Sequence, residues 1–256
     1  MLGVLKARLV QGHRTMKFPD GPAPELPDKF AGRPQIDCSK CTADCGKSCA
    51  DVCPTGAFAA SDGDAGIRSI DMGKCLFCRA CIKVCKHNAI SFGKTYQLSA
   101  AKWEDLIVKN NDTAERIVLN KKIRKLFGRS LKLRQISAGG CNACEADTNV
   151  LNTLAWDLGR FGIQFVASPR HADGLLVTGP VSQNMKEALL KTYEAIASPK
   201  IVIAAGSCAI SGGPYRGHAE TCNGVATVLR VDLFIPGCPP HPLTILDGLL
   251  RLIGKL

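Results

Sequence analysis

Beyond residue 130 the chain alternates short apolar runs with segments of helical periodicity. Residues 131–136, 163–167, 175–178, 201–205 and 231–235 are apolar stretches of strand length. Residues 149–158, 184–197 and 244–253 instead repeat their apolar positions at helical spacing. Strands that read as unbroken apolar runs are buried on both faces, so this alternation predicts an α/β unit over 131–256. Its sheet should be mostly parallel, with helices on both sides.

The first half follows different rules. Residues 100–129 are polar with a helical pattern and predict a basic helical connector over 99–130. Residues 36–92 contain an approximate repeat: one cysteine run ends in Cys53-Pro-Thr-Gly-Ala-Phe58, a second in Cys85-Lys-His-Asn-Ala-Ile90. Between them, Asp62-Gly-Asp-Ala-Gly66 supplies turn chemistry. A segment with so few large apolar residues needs bound metal to organise it, and it is expected to form a unit over 36–98. Proline and glycine over 17–35 predict an extended arm, completing an N-terminal segment 1–35. At its start, Leu2, Leu5, Leu9 and Val10 beside Lys6 and Arg8 fit either a short amphipathic helix or a frayed end.

Composition sharpens this picture at one point. There are 14 cysteines among 256 residues, which means either a disulfide framework or metal ligation. Residues 1–14 lack the continuous apolar stretch of a signal peptide. No run reaches the roughly 18 apolar residues of a membrane span. The cysteines are therefore expected in the cytoplasm as thiolate ligands. The formal charge of +11 invites a nucleic-acid reading. However, only 5% of residues are aromatic, and the basic cluster Lys121, Lys122, Arg124, Lys125 and Arg129 includes just Phe127 among them. No nucleic-acid partner is expected; a solvated face, acidic lipid headgroups or an acidic subunit suit that cluster better.

The second cysteine run, Cys75-x2-Cys78-x2-Cys81-x3-Cys85, has the spacing of a bacterial ferredoxin motif. Three closely spaced thiolates cap three corners of one cube, and the fourth points away to the other cluster. Structural zinc sites use two CxxC pairs set well apart. The first run, Cys38, Cys41, Cys45, Cys49 and Cys53-Pro54, has one cysteine too many. Counting back from Cys53-Pro54 makes Cys38, Cys41 and Cys49 the ligands and Cys45 the spare; a register of Cys41, Cys45 and Cys49 competes with it. By the crossover rule Cys85 completes the first cluster with Cys38, Cys41 and Cys49, and Cys53 joins Cys75, Cys78 and Cys81 in the second.

A third set lies in the α/β unit. Cys141, Cys144, Cys208 and Cys238 each follow a predicted strand through glycine-bearing loops, along the edge where open α/β sheets bind ligands. Cys222 lacks that context and reads as a small buried hydrophobe. Twelve of the 14 cysteines are thus assigned to three 4Fe–4S clusters.

Gly140-Cys-Asn-Ala-Cys-Glu145, Ser168-Pro-Arg-His-Ala-Asp173, Thr178-Gly-Pro-Val181, Gly206-Ser-Cys-Ala209 and Ile235-Pro-Gly-Cys-Pro-Pro240 resemble the small subunit of membrane-bound nickel–iron hydrogenases, closest to the formate hydrogenlyase type. Altered forms of these motifs occur in the cluster subunit of respiratory complex I. Residues 1–108, through Gly73-Lys-Cys-Leu-Phe-Cys78 and residues 96–105, resemble the two-cluster ferredoxin subunit of the same complexes. The resemblance implies a fusion. An α+β bacterial ferredoxin domain with two clusters would precede a flavodoxin-like, mostly parallel sheet domain with one. It further implies an electron-transfer subunit with no catalytic residue and no nickel of its own. Its partners would be a large catalytic subunit, an upstream redox subunit or soluble ferredoxin, and proton-translocating membrane subunits. It would sit peripherally on the cytoplasmic face of the membrane. A nickel-free complex I-like oxidoreductase that reduces a quinone is the alternative.

Three departures from the family pattern stand out: Lys86 follows Cys85 in place of proline, Ala143 replaces a glycine, and residues 146–149 are atypical for a hydrogenase. Glu145 reads as a proton relay, a cluster-tuning group or simply a hydrogen-bonded carboxylate. Arg170 and Asp173 are expected to pair. His171 and His241 are expected to pack or hydrogen-bond rather than ligate.

Overall fold

The computed structural model describes residues 2–41, 48–60, 67–110 and 121–256. The second half is built on five parallel strands: β6 (Leu131–Ser137), β7 (Ile163–Phe165), β8 (Gly174–Thr178), β9 (Ile201–Ala205) and β10 (Leu233–Ile235). Across the sheet they run β10-β9-β8-β6-β7. Counted from β6 this is the order 2-1-3-4-5 of the flavodoxin-like fold, with its switch point between β6 and β8. Every residue of β8 and β9 is buried, which is why their sequences do not alternate. Side chains still alternate between faces. Leu176, Ile201, Ile203, Leu233 and Ile235 pack with helix α8 (Pro242–Ile253). Leu175, Val177, Val202, Ala204 and Phe234 pack on the other side with Leu189 of α6 (Gln183–Glu194) and Ile210 of α7 (Ser207–Ser211).

Two expectations are corrected in this half. The periodicity predicts a helix over 149–158, but α5 spans Ala143–Val150. Its first turns are Ala-Cys-Glu-Ala-Asp-Thr, with no apolar periodicity to read. The apolar residues that imitate a helix lie in turns from Leu151 to Trp156 and in a 3-10 turn that starts at Leu158; Leu151 and Leu158 enter the core while Leu154 is 80% exposed. The expected Arg170–Asp173 ion pair does not form. The Asp173 carboxylate accepts the Lys132 N–H at 2.7 Å, and the Asp173 carbonyl accepts that of Ile201. Its work is to tie the starts of three strands together.

The first half contains two small antiparallel sheets. β1 (Pro34–Ile36) pairs with β4 (Ile90–Phe92), while β3 (Ile67–Asp71) lies between β2 (Phe58–Ala60) and β5 (Ile107–Lys109). Short helices α2 (Ser48–Asp51) and α3 (Ala80–Val84) carry cysteines into the space beside them. Among the described residues, the local core here is Ile36, Ile67, Ile70 and Ile90 with Cys49 and Cys81, a small one.

Among its described residues, the stretch expected as a helical connector has a 3-10 turn at Trp103–Leu106 and one α-helix, α4 (Lys121–Phe127). Before it, β5 completes the second antiparallel sheet, and Ala100 forms an antiparallel bridge with Phe234 of β10. Met72, Leu98, Ala100, Leu106 and Val108 enter the same apolar cluster as β8 and β9. The two halves therefore share a core. The arm adds a second tie. Phe18 is buried against Tyr96, Arg160 donates to the Met16 and Phe18 carbonyls at 2.5 and 2.6 Å, and Gly32 and Arg33 bond to Gly93 and Thr95. Ahead of it, α1 (Leu2–Gln11) has no buried residue. Among the described residues no helix is long and apolar enough to cross a membrane.

Candidate iron–sulfur centres

The internal repeat has a structural counterpart. After Cys53 the chain turns through Gly56 (φ +59°), whose N–H bonds to the Cys53 carbonyl, and the Ala57 N–H then donates to Cys53 Sγ at 3.3 Å. After Cys85 it turns through Asn88 (φ +50°), whose N–H bonds to the Cys85 carbonyl, and the Ala89 N–H donates to Cys85 Sγ at 3.2 Å. Two further sulfurs accept backbone N–H groups, Cys75 from Phe77 at 3.3 Å and Cys41 from Ile67 at 3.2 Å. Such donors stabilise negative charge on sulfur and raise the reduction potential of a cluster held there.

Cys53, Cys75, Cys78 and Cys81 line one hollow, closed by apolar side chains such as Phe58, Ile70 and Phe92. Cys41, Cys49 and Cys85 line another, with Val84, Ala89 and Ile90. Cys38 does not line that hollow; it lies in the same apolar cluster, with its Sγ 3.5 Å from the Ile67 carbonyl. Cys45 falls outside the described residues. Cys45→Ser is expected to leave the iron content unchanged, and loss of about four irons would put Cys45 in the place of Cys38.

The third set gathers at the carboxyl edge of the parallel sheet. Cys141 and Cys144 follow β6, with Cys144 in the first turn of α5; Cys208 lies in the first turn of α7 after β9, and Cys238 follows β10. Gly206 makes the close approach between them possible. At φ +92°, a Cβ there would come within 2.5 Å of Cys144 Sγ. Glu145 is buried beside this set and accepts a 2.5 Å hydrogen bond from the Thr178 hydroxyl at the end of β8. Cys222 lies elsewhere, half-buried against the second face of the sheet.

Burial pushes the thiols up: Cys75 to about 12, Cys81 to about 11, Cys208 to about 12, and Cys144 and Cys238 in the same direction. Neighbouring sulfurs add to this, Cys78 and Cys53 acting on Cys81, and Cys238 and Cys141 on Cys208. Leu76 and Phe77, beside Cys75 and Cys78, line one cavity with Cys238, so the second and third sets are neighbours. At neutral pH such thiols hold their protons until metal displaces them. Among the described residues no three His, Cys, Asp or Glu side chains converge on a single ion. In the first two sets the sulfurs line hollows, which suits a four-cornered cube.

His241 stands at the N-terminus of α8. It caps α8, its Nδ1 accepting the Leu243 N–H at 3.1 Å, and its ring meets Phe30 and Trp156 edge-on. Burial lowers its pKa from 6.5, so the folded state keeps it neutral while the unfolded chain takes up a proton. Its contribution to stability is full above about pH 6.5 and is lost as pH falls through the lowered folded value. His241→Asn keeps a capping oxygen without the titration. It is expected to flatten the fall in melting midpoint between about pH 7 and pH 5, compared with the unsubstituted chain.

Residues 141–252 match the family described as NADH ubiquinone oxidoreductase, 20 Kd subunit, and residues 68–91 match a 4Fe-4S binding domain. A probable membrane-bound hydrogenase subunit of Pyrococcus furiosus is 40% identical over 148 residues, 57% of this chain and 89% of that one. The chain belongs to the 20 Kd subunit family. Within it, an NADH-quinone oxidoreductase subunit of Phocaeicola vulgatus is 40% identical over 51% of this chain and 66% of its own length. Formate hydrogenlyase subunit 7 of Escherichia coli is 39% identical over 52% of each chain. With a 4Fe-4S domain fused ahead of the family domain, this member is an iron–sulfur protein of a multi-subunit redox complex.

Proposed function

We propose that this chain is the electron-transfer subunit of a membrane-bound, complex I-related nickel–iron hydrogenase of the formate hydrogenlyase type. It relays electrons through three 4Fe–4S clusters between a large catalytic subunit and an upstream redox subunit or soluble ferredoxin. The observation that carries this reading is the adjacency of the second and third thiol sets, where the Ser207 hydroxyl beside Cys208 lies 2.6 Å from the Cys75 carbonyl and Leu76, Phe77 and Cys238 line one cavity. Cys38, Cys41, Cys49 and Cys85 would hold the first cluster, and Cys53, Cys75, Cys78 and Cys81 the second. Cys141, Cys144, Cys208 and Cys238 would hold the third. A 4Fe–4S group supplies one-electron chemistry when bound. The chain's own residues anchor it through sulfur, aim N–H groups at the sulfurs of Cys41, Cys53, Cys75 and Cys85 among others, and keep water out with Phe58, Ile70 and Ile90.

The exposed thiols of Cys141 and Cys238 mark the face that the large subunit would cover. For attachment at the cytoplasmic face, beside proton-translocating subunits, α1 is suited. It exposes Leu2, Val4, Leu5, Leu9 and Val10 alongside Lys6 and Arg8, the composition of a helix lying on anionic lipid. Deleting residues 2–11 is expected to abolish flotation with anionic vesicles, and unchanged flotation would refute that role.

A second reading, the same wire in a nickel-free oxidoreductase that reduces a quinone, is favoured by the match to the NADH-quinone oxidoreductase relative. Metal analysis of the native complex, purified anaerobically through a tag on this chain, separates the two. About one nickel per copy with at least ~12 irons supports the hydrogenase; iron without nickel supports the second reading.

A further inference from the structure

Ser207 precedes the ligand Cys208 and is 1% exposed. Its N–H donates to the Gly237 carbonyl, one residue from Cys238, at 2.8 Å. Its hydroxyl oxygen lies 2.6 Å from the Cys75 carbonyl and 3.0 Å from that of Gly237. A hydroxyl has one proton to give, and the shorter contact is to Cys75, 132 residues away in sequence. One buried side chain thus touches the loops bearing Cys75, Cys208 and Cys238. One turn on, Ile210 packs so closely on Gly73 that a Cβ there would meet its Cγ2 at 2.9 Å. This seam joins the two halves at the ligands themselves, whereas the Ala100–Phe234 bridge and the Phe18 anchor join them through strand and core.

We propose that Ser207 is a positioning residue for electron transfer between the second and third centres. Its hydroxyl holds the two centres at a fixed separation. From Cys75 to Cys208 the link consists of covalent bonds and a single hydrogen bond, from the Ser207 hydroxyl to the Cys75 carbonyl. The step moves one electron from the reduced centre of one set to the oxidised centre of the other, with no bond made or broken and no proton transferred. This rests on the reading that both sets hold 4Fe–4S clusters.

The test compares Ser207→Ala, Ser207→Thr and Ser211→Ala with the unsubstituted chain in the anaerobically purified complex. Iron per chain, cluster reduction potentials and the magnetic interaction between reduced clusters are measured. Ser211 is buried and its hydroxyl bonds to the Ser207 carbonyl within the same helix, so its variant controls for lost packing. Ser207→Ala is expected to keep its iron and to weaken the splitting between the second and third clusters. It should also move both potentials negative and leave the first unmoved, since a donor near the centres is gone. Ser211→Ala is expected to match the unsubstituted chain. Full iron with unchanged splitting and potentials in Ser207→Ala overturns the proposal while leaving the cluster assignment standing. Too little iron for both centres in the unsubstituted chain overturns the assignment itself, and the proposal with it. If Ser207→Ala loses iron, Ser207→Thr decides: recovered splitting supports the role of the hydroxyl, and its absence overturns it.

Discussion

Cys85→Ala is expected to remove about four irons from the centre built mainly by the first cysteine run, leaving the centre of Cys75, Cys78 and Cys81 intact. Read by proximity in sequence, Cys85 would belong with the three cysteines just before it. In the structure it lines the hollow of Cys41 and Cys49, while Cys53 lines that of Cys75, Cys78 and Cys81. The exchange follows from the repeat: each run ends in a cysteine whose sulfur is turned by an i to i+4 N–H donor, Ala57 in one case and Ala89 in the other. Cys53→Ala is the mirror experiment and is expected to strip the second centre. Spectra of the reduced variants distinguish the centres. If Cys85→Ala instead removes the signal that Cys75→Ala removes, the crossover is wrong.

Gly206→Ala is expected to abolish the third centre, again a loss of about four irons, and to spare the other two. Two independent costs fall on one methyl group. A non-glycine residue at φ +92° is strained by roughly 1–3 kcal/mol. The added carbon would also lie 2.5 Å from Cys144 Sγ, so that sulfur must leave its place. Gly56→Ala is a useful contrast. It also has positive φ but nothing within 4 Å of an added Cβ, so strain without collision is expected to lower stability and keep the iron. Iron analysis with a thermal melt on each variant separates the two effects.

The parallel sheet is legible in the sequence because β8 and β9 are covered on both faces and so appear as unbroken apolar runs. The edge that carries the third site is legible for a related reason, since each of its cysteines follows a strand through glycine. What escapes is whatever depends on distant partners. β5 has only three residues and gains its place from β3. Ala100 pairs with Phe234 without any local signal. The start of α5 is polar because it carries Cys144 and the buried carboxylate of Glu145, so no apolar period marks it. Asp173 has Arg170 as its charged neighbour in sequence, but a strand-end N–H at 2.7 Å offers a better-placed donor. Ser207 sits inside a recognised motif, yet its contact lies in the other half of the chain. Cysteine spacing locates the sulfurs; only the fold reveals the donors around them.

The proposed electron wire needs three cubane clusters on this single chain, and iron with acid-labile sulfide per chain tests for them most directly. On protein prepared without oxygen, about 12 of each and no zinc is the predicted result. About eight or fewer irons, or zinc in place of iron at any of the three thiol sets, would contradict it.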